Sequence, residues 1–475
     1  MKVRVEVIKR LDLYEPASEE RHDAECIVVN HRGRSVRYAK YRNHDFPDEY
    51  FFHYPILIDP DGSPWPEANR YLLSRLCGIL VAKHRTLESI ANDLANFRQW
   101  LFDEGVDFLN VPKRQRARPT YRYCGYLHDE VRMARIKPST AKRRICSVQG
   151  FYRWLQMDGK EFDFPLWQEN AGSLYFKDKR GFGHHKSITS TDLSRSFRIP
   201  PVRMEYSEYI EDGGKLRPLP KEEQIALVES LRRIGNIEMF LSFMFALMTG
   251  ARLQTVFTLR RTHFSSWLPE GERQYRLKVG AGTLINTKNG KRMTLFVPAW
   301  LYRRIQVYMN CERCQARVRR SPHVYESDDL QYVFLTRSGK PYYMADNDPF
   351  SFLYRSPPRG NSITQFIRQQ LKPDLLAHGH SFEIRFHDLR ATFGMNLLVN
   401  KLPLEAVGSG ASMNNPEMLH LLMYVRERMG HSQLSTTELY LKYRQRYKLA
   451  LGVQDEYEAH LESLVESFEV EDVLD

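Results

Sequence analysis

The spacing of apolar residues divides the first third of the chain into a β-rich start and a helical region. In residues 1–64, short runs such as "VRVEV", "ECIVVN" and "PILIDP" are separated by the turn sequences "HRGR" and "DPDG", a pattern that predicts strands. From residue 65 to residue 169 the apolar period becomes helical. One stripe follows Thr86 and consists of Leu87, Ile90, Leu94, Phe97 and Leu101. A second follows "KPST" and consists of Ala141, Ile145, Val148, Tyr152 and Leu155. We expect the two stripes to pack as a small helical bundle.

The second half of the chain contains another helical region. It covers residues 218–451 and includes "IEMFLSFMFALMTG", which is apolar on every side and predicts a buried helix. Residues 170–217 before it are polar and basic and show no sustained apolar period, so they predict an extended basic linker. The last segment, 452–475, predicts an acidic tail helix with one apolar stripe. The stripe consists of Leu461, Leu464, Val465 and Phe468.

The charge of the chain is unevenly distributed. The formal net charge is +12, but residues 452–475 contain nine acidic residues and no Lys or Arg, so the remainder carries +21. A chain of 475 residues is long enough to form several domains. A strongly basic body with an acidic tail indicates a polyanionic partner, although a merely basic, solvated surface is the alternative.

The cysteine spacing and the hydropathy predict that the protein is located inside the cell. The six cysteines lack the dense spacing of a secreted disulfide framework. Cys311 and Cys314 could form half of a zinc site, but no second pair follows at ligand spacing, which favours thiols on a helix and no metal. The N-terminus has no apolar signal-peptide run, and no stretch reaches about 18 apolar residues. We therefore expect a cytoplasmic protein.

Basic residues cluster in the helical region 65–169. Lys142, Arg143 and Arg144 lie at the start of the second striped helix. The sequence "KRQRARP" before it supplies Lys113, Arg114, Arg116 and Arg118. Such clusters are often only solvated helix faces. Their concentration in one small region favours contacts with nucleic-acid phosphates.

Two stretches of the region 218–451 place cations at turns. In "MTGARLQTVFTLRR", a glycine turn ends the buried helix and puts Arg252 at the start of the next one, where it could equally be a structural cap or ion pair. In "LINTKNGKRMTLFVP", Asn289-Gly290 is a strong hairpin signal, with Lys288 just before the turn and Lys291 just after it. Lysines on a surface hairpin also serve solubility.

Two later stretches combine histidines with an arginine and tyrosines. In "FHDLRATFGMNLL", His387 and Arg390 are three residues apart, so they share a helix face and could address one oxyanion, or form a buried structural pair. In "MGHSQLSTTELYLKY", Ser435 and Glu438 form a capping-box pattern that predicts a helix from about Thr436. His431 would lie in the turn before this helix. Tyr440 would lie in its second turn and Tyr443 one turn later.

These four stretches, in this order over residues 218–450, resemble the conserved boxes of the tyrosine recombinases, the phage-integrase and Xer-type family of DNA strand-exchange enzymes. The resemblance implies a mainly α fold with a small β-sheet. Residues 65–169 would be a helical core DNA-binding domain and 218–451 the catalytic domain, joined by the linker 170–217. Together the two domains would clamp duplex DNA, and four protomers would assemble on two DNA sites. Residues 1–64 match nothing in the resemblance.

The resemblance also implies a role for individual residues. Arg252 would be the first catalytic arginine, Lys288 the hairpin lysine that acts as general acid, and His387 and Arg390 the HxxR pair. His431 would be the histidine of the GH motif, and the nucleophile nine residues after it would be Tyr440; Tyr443 would then be a packing or phosphate-contacting neighbour. Two features depart from the pattern. Thr255 replaces the usual acid three residues after the first arginine, and the regions 304–385 and 400–425 are long, which suggests insertions.

The residue types fit such chemistry on independent grounds. A phenol with a pKa near 10 is a poor nucleophile, but attack on a phosphodiester builds negative charge that two arginines can hold. A lysine or histidine can protonate the leaving oxygen, so the reaction needs neither metal nor other cofactor. The sequence therefore predicts a site-specific DNA recombinase that integrates or excises a mobile element and associates with the nucleoid. A type IB topoisomerase, a hairpin resolvase and a non-cutting DNA-binding regulator of the same fold are the alternatives.

Overall fold

The structure, a computed structural model, describes eleven stretches of the chain. They are residues 2–12, 14–16, 26–31, 34–40, 50–76, 84–177, 183–197, 209–212, 214–346, 348–401 and 416–444. The chain forms two compact units. One comprises Met1–Val202 with Phe352–Ser356, and the other comprises Arg203–Ser351 with Pro357–Asp475. The predicted tail helix and most of the suggested insertion at 400–425 lie outside the described residues.

The first unit begins with strands, as the alternating sequence predicted. They are β1 (Arg4–Asp12), β2 (Tyr14–Pro16), β3 (Cys26–His31), β4 (Arg34–Lys40) and β5 (Tyr50–Ile58). Strands β1 and β5 pair antiparallel with Val5 opposite Leu57, while β4 lies between β2 and β3 in a separate sheet. The β-rich character of the N-terminal region is thereby confirmed.

Four helices follow and enclose the core of the first unit. They are α1 (Pro66–Ser74), α2 (His84–Asp103), α3 (Pro119–Arg132) and α4 (Pro138–Met157). Trp65 is fully buried at the entry to α1 and meets Phe108 and Phe151 edge-on. The two predicted stripes face this core: all of their residues are buried except Ile90, which is partly buried. Their helical spacing aligns the apolar side chains on one face of α2 and of α4.

The predicted linker, 170–217, contains regular structure that the sequence pattern missed. Strand β6 (Glu169–Lys177) pairs with β7 (Gly183–Thr191), and the short helix α5 (Asp192–Arg195) follows, capped by the Thr191 side chain, which accepts from Ser194 N. Leu193 is buried in the core of the first unit. Further on, β8 (Ile210–Glu211) and β9 (Lys215–Leu216) form a small hairpin in the second unit. Strands β6 and β7 have nine residues each but are too polar to create an apolar period, and β8 and β9, with two residues each, are too short to do so.

The second unit is mainly helical, and its described residues include two small two-stranded sheets, the β8–β9 hairpin and the pair of β10 (Gln274–Val279) and β11 (Met293–Pro298). Its helices are α6 (Lys221–Ile234), α7 (Ile237–Thr249), α8 (Leu253–Phe257), α9 (Ala299–Asn310), α10 (Glu312–Arg319), α11 (Asn361–Phe366), α12 (Lys372–Ala377), α13 (Asp388–Lys401), α14 (Pro416–Met429) and a last helix, α15, described over 434–444. Helix α7 is buried on nearly every side, as predicted. The prediction of a mainly α fold with small β-sheets is confirmed. In the stretches that the structure describes, no helix combines the length and the apolar character needed to span a membrane.

The predicted hairpin exists, but its strands are further apart in sequence than the turn signal implied. Strand β10 (Gln274–Val279) pairs with β11 (Met293–Pro298), and residues 280–292 connect them. Asn289 and Gly290 both have positive φ, 59° and 65°, so they do form a turn. The connecting segment before this turn is held away from the sheet at Asn286. The Thr258 hydroxyl accepts from Asn286 N, and the Thr255 hydroxyl donates to Asn286 O.

Candidate active site

Arg252 lies at the break between α7 and α8. Helix α7 ends at Thr249, and Gly250 caps its C-terminus with a φ of 67°, the left-handed conformation that favours glycine. Arg252 then takes the N-cap position of α8 with an extended backbone, as the sequence predicted. Its side chain is 18% exposed and its Nη2 donates to Asp212 Oδ1 at 3.4 Å. The helix break thus directs the guanidinium group towards the interior of the second unit.

Arg390 links three separate segments from the first turn of α13. Its Nε donates to Asp212 Oδ2 at 2.8 Å, its Nη1 to Gly250 O at 2.8 Å and its Nη2 to Met429 O at 2.7 Å. The side chain is almost fully buried, at 2% exposed. These bonds hold the guanidinium plane in one orientation.

His387 precedes α13 instead of sharing a helix face with Arg390, which corrects the sequence prediction. Helix α13 starts at Asp388, and Arg390 N donates to His387 O at 3.1 Å in the turn. Burial lowers the pKa of His387, and the nearby charges of Arg252 and Arg390 lower it further. A histidine with a lowered pKa is neutral at pH 7 and can accept a proton.

His431 follows α14 and is buried. Its Nε2 lies 3.1 Å from Asp212 Oδ2 and its Nδ1 lies 2.9 Å from Thr437 Oγ1. An ionised carboxylate only accepts hydrogen bonds, so we assign the proton to Nε2. Burial lowers the pKa of His431, although its hydrogen bond to Asp212 works in the opposite direction. His431 is therefore a neutral hydrogen-bond donor.

Tyr440 is fully buried on α15. The predicted helix is confirmed, but it begins at residue 434, two residues before Thr436. Ser435 therefore lies inside the helix and its hydroxyl donates to Gln433 Oε1 at 3.4 Å, so the predicted capping box is wrong. The Tyr440 hydroxyl donates to Asp212 Oδ2 at 3.2 Å. Burial raises the pKa of Tyr440, and the charge of Asp212 raises it further. The ring lies against Gly394, where an added Cβ would come within 2.7 Å of Tyr440 Cε1.

Asp212 is the residue that the sequence did not reveal. It follows β8 and is 5% exposed, and its carboxylate accepts from Arg252, Arg390, His431 and Tyr440. Burial on its own would raise the pKa of Asp212, but the hydrogen bond from His431 and the charge of Arg390 bring that pKa well below its ordinary value. No motif or period marks this position, because only the β8–β9 hairpin brings it to the cluster.

The two hairpin lysines differ in their surroundings. In the described structure the Lys288 side chain is exposed and makes no hydrogen bond with the cluster. Lys291 is exposed as well, but its Nζ donates to Gly430 O at 2.7 Å, beside His431. The structure therefore brings Arg252, His387, Arg390, His431 and Tyr440 together and leaves Lys288 outside.

The basic residues predicted to bind DNA divide into exposed and structural ones. Exposed side chains belong to Lys113, Arg114, Arg116, Lys142 and Arg143, and Arg144 is partly buried. Arg143 Nη1 also donates to the buried Asp93 at 2.8 Å.

Arg118 was predicted to bind DNA, and the structure contradicts that prediction. Its side chain is buried and donates to the carbonyl oxygens of Pro112, Lys113 and Pro165 at 2.6–3.0 Å. These bonds hold the loop before α3 and take the guanidinium away from the surface.

Within the part of the chain that the structure describes, no group of three or more His, Cys, Asp or Glu residues could hold a metal ion. Cys311 and Cys314 lie at the start of α10, Cys314 in the core of the second unit.

Comparison with known proteins yields distant structural likenesses. No protein-family model and no curated protein matches the chain. Among solved structures, the Tn1549 transposon integrase in complex with circular intermediate DNA is 14% identical, with 79% of this chain and 94% of that chain covered and a TM-score of 0.42. The XerA recombinase is 14% identical, with 81% of this chain and 98% of that chain covered and a TM-score of 0.30. A lambda integrase dimer bound to a COC′ core site is 11% identical, with 80% of this chain and 95% of that chain covered and a TM-score of 0.42. Likenesses this distant leave the function to be inferred from the side chains of the site.

Proposed function

We propose that this protein is a site-specific DNA recombinase that cuts and rejoins duplex DNA through a 3′-phosphotyrosyl intermediate, for the integration or excision of a mobile element. One observation carries the proposal. Arg252, Arg390, His431 and Tyr440 converge on a single carboxylate, that of Asp212. These donors form a binding site for one anion with a tyrosine hydroxyl at its edge, which is the arrangement needed to attack a phosphodiester.

The donors match the charge that develops in that reaction. Attack by the Tyr440 oxygen on phosphorus increases the negative charge on the non-bridging phosphate oxygens. The guanidinium groups of Arg252 and Arg390 hold that charge, and Nε2–H of His431 adds a neutral hydrogen bond. Because Arg390 is already held by Gly250 O and Met429 O, little reorganisation is needed at the moment of reaction.

The protons of the reaction balance with residues of this chain. The Tyr440 hydroxyl gives its proton to a neutral histidine, and we assign this role to His387, which burial and the charges of Arg252 and Arg390 keep unprotonated by lowering its pKa. As the Tyr440–phosphorus bond forms, the bond to the 5′-oxygen breaks, and we assign Lys288 to protonate this oxygen. The phosphotyrosyl ester retains the energy of the broken bond, so a 5′-hydroxyl can reverse the step and rejoin the DNA.

DNA binding is assigned to the exposed bases of the first unit. We propose that Lys113, Arg114, Arg116, Lys142 and Arg143 contact backbone phosphates, supported by the charge of +21 outside the tail. The assembly that we propose is four protomers on two DNA sites. A groove of about 400 Å³ in the second unit, lined by apolar residues including Val228, Met244 and Leu397, with Arg428 at its side, would receive the apolar stripe of a neighbour's tail helix.

The proposal is tested with nicked suicide duplexes that carry the short repeats flanking the gene. The wild-type protein should become covalently attached to such DNA. Tyr440→Phe should still bind it but form no adduct, because the nucleophilic oxygen is gone. Tyr443→Phe is the matched control, one helical turn away, and should form the adduct.

An adduct that persists in Tyr440→Phe would refute the assignment of the nucleophile. Relaxation of supercoiled DNA by a monomer, without strand exchange, would identify a type IB topoisomerase instead of a recombinase.

A further inference from the structure

The carboxylate of Asp212 holds the donor groups that the proposed reaction would direct at DNA. Asp212 Oδ2 accepts from Arg390 Nε at 2.8 Å, His431 Nε2 at 3.1 Å and the Tyr440 hydroxyl at 3.2 Å. Its other oxygen, Oδ1, accepts from Arg252 Nη2 at 3.4 Å. A carboxylate has the same charge and a similar spacing of acceptor oxygens as the two non-bridging oxygens of a phosphodiester.

We propose that Asp212 is a built-in occupant of the phosphate site, which must leave before DNA can be cut. In this conformation its two carboxylate oxygens stand in for two non-bridging phosphate oxygens. The protein is therefore inhibited by its own β8–β9 hairpin until an oxyanion replaces the carboxylate. The identity of that oxyanion as a DNA phosphodiester rests on the proposed function, whereas the occupancy of an anion site rests on the contacts of Asp212.

The alternative is that Asp212 stays in place and positions the arginines during the reaction. That role would suit a chain in which Thr255 stands where an acid is usual. It conflicts with the geometry, because a phosphate that used the same donors would lie within hydrogen-bond distance of the carboxylate. Two negative charges at that separation in a buried site repel strongly, and each would compete for Arg390 and His431.

The surrounding hairpin permits such a withdrawal. Its base is held by Ile210 and Leu216, which are paired and buried in a cluster that includes Tyr440. Asp212 lies at the tip, where the sequence continues with Gly213 and Gly214. A Cβ added at Gly214 would meet no atom within 4 Å. The tip can therefore change conformation while the base remains packed.

The arrangement has a consequence for affinity. When a site is open in only a fraction of the molecules, the apparent dissociation constant rises by the inverse of that fraction. Occupancy by Asp212 thus weakens binding of any simple oxyanion and keeps Tyr440 engaged when no DNA is bound. Specific DNA, which binds through many contacts, can supply the free energy for the exchange.

The test is the binding of inorganic phosphate to the full-length protein, measured by titration calorimetry. Asp212→Asn keeps the shape of the side chain and removes its charge, so it should bind phosphate at least about tenfold more tightly than the wild type. Glu211→Gln is the matched control, because Glu211 is an exposed acid on the same hairpin and should leave the affinity unchanged. Equal or weaker phosphate binding by a folded Asp212→Asn protein would overturn the proposal.

A second measurement uses the wild type and does not depend on the folding of a variant. Saturating phosphate should increase amide hydrogen exchange in the peptide that covers residues 209–216, because the tip loses its contacts. Unchanged or slower exchange there would mean that Asp212 stays in place, against the proposal.

Adduct formation separates this inference from the proposed function. Asp212→Asn should attach to nicked duplexes faster than the wild type. If it attaches more slowly while the wild type is active, Asp212 is a positioning residue and the inference fails. If neither protein attaches to DNA but Asp212→Asn gains phosphate affinity, the occupied anion site stands and the recombinase proposal fails.

Discussion

At the scale of single residues, the second unit concentrates buried charge at one place. Asp212 and Arg390 are almost fully buried, and each would be costly to bury alone. They are tolerated because the carboxylate of Asp212 offsets one of the two positive charges of Arg252 and Arg390, and because Arg390 also donates to two carbonyl oxygens. Burial keeps His387 and His431 neutral by lowering the pKa of each. The site is thus preorganised for one negative charge.

The two hairpin lysines allow a sharp test of the general acid. Lys288→Ala should cleave ordinary DNA at least about a hundredfold more slowly, because the leaving 5′-oxygen lacks a proton donor. Cleavage should recover when that bridging oxygen is replaced by sulfur, which leaves without protonation. The measurement is the rate of adduct formation on both substrates.

Lys291→Ala is the control for that experiment. Lys291 donates to Gly430 O beside His431, so its loss should disturb both substrates equally. If Lys291→Ala is rescued by sulfur and Lys288→Ala is not, the general acid is on the other side of the turn.

Substitution of Arg118 and of Arg116 tests which of the two arginines is structural and which contacts DNA. Arg118→Ala should lower the free energy of unfolding by about 2–4 kcal/mol, because it removes the hydrogen bonds of a buried, charged side chain to three backbone carbonyl groups. Arg116→Ala, at an exposed site, should change stability by less than about 0.5 kcal/mol. It should instead weaken DNA binding and reduce the slope of log affinity against log salt by about 0.9. Urea denaturation and binding at several salt concentrations measure both effects; equal stability of the two variants would contradict this division.

At the scale of elements, the candidate active site depends on where helices end. The break after α7 positions Arg252, the turn before α13 positions His387, and the turn after α14 positions His431. Gly250 serves two purposes at the first break. It takes a left-handed conformation, and its carbonyl oxygen accepts from Arg390. Phe393 packs so close that a Cβ at Gly250 would come within 2.4 Å of the ring.

Gly250→Ala should therefore be strongly destabilising and should also slow adduct formation. The left-handed backbone costs about 1–2 kcal/mol for alanine, and the collision with Phe393 adds about 1–3 kcal/mol. Gly235→Ala is the matched control, since Gly235 has φ 68° and its Cβ would meet only Arg233 O at 4.0 Å. Chemical denaturation should show only the backbone cost for Gly235→Ala. Equal losses for the two variants would mean that the Phe393 contact relaxes freely.

At the scale of the whole molecule, charge is divided between a basic body and an acidic tail. The tail's nine acidic residues would keep it away from DNA, and the apolar stripe that a tail helix would carry would need a partner surface. Docking on the second unit of the same chain is the alternative to exchange with a neighbour. Both would use an apolar groove, but only exchange couples the tail to assembly.

Deletion of residues 456–475 distinguishes these two uses of the tail. Under exchange, the truncated protein should bind a single DNA site almost as well as the full chain, while pairing of two sites and recombination fall at least about tenfold. Gel-shift and recombination assays measure the two steps. Glu462→Gln with Glu466→Gln is the control, because it keeps the apolar stripe intact. Recombination at the full rate after truncation, or loss of folding, would favour docking on the chain's own body.

The sequence alone determined the features that depend on local spacing. The stripes of α2 and α4, the buried α7 and the glycine turn before Arg252 follow from side-chain period and backbone preference, which are properties of neighbouring residues. The motifs also named five of the residues that meet at the site. Local signals misjudged boundaries, as in the start of α15 and the position of His387, because helix ends are set by tertiary hydrogen bonds.

Only the tertiary structure decided what those residues face. Asp212 lies 40 residues before Arg252 and 228 before Tyr440 in the chain, so no local pattern could connect them. Arg118 and Arg116 are alike in sequence, yet one is buried and one is exposed, because burial depends on what packs over a position. The physical reason is the same in both cases. Residue type and spacing determine what a segment can form, whereas contacts between distant segments determine which charges are neutralised and which remain available to a ligand.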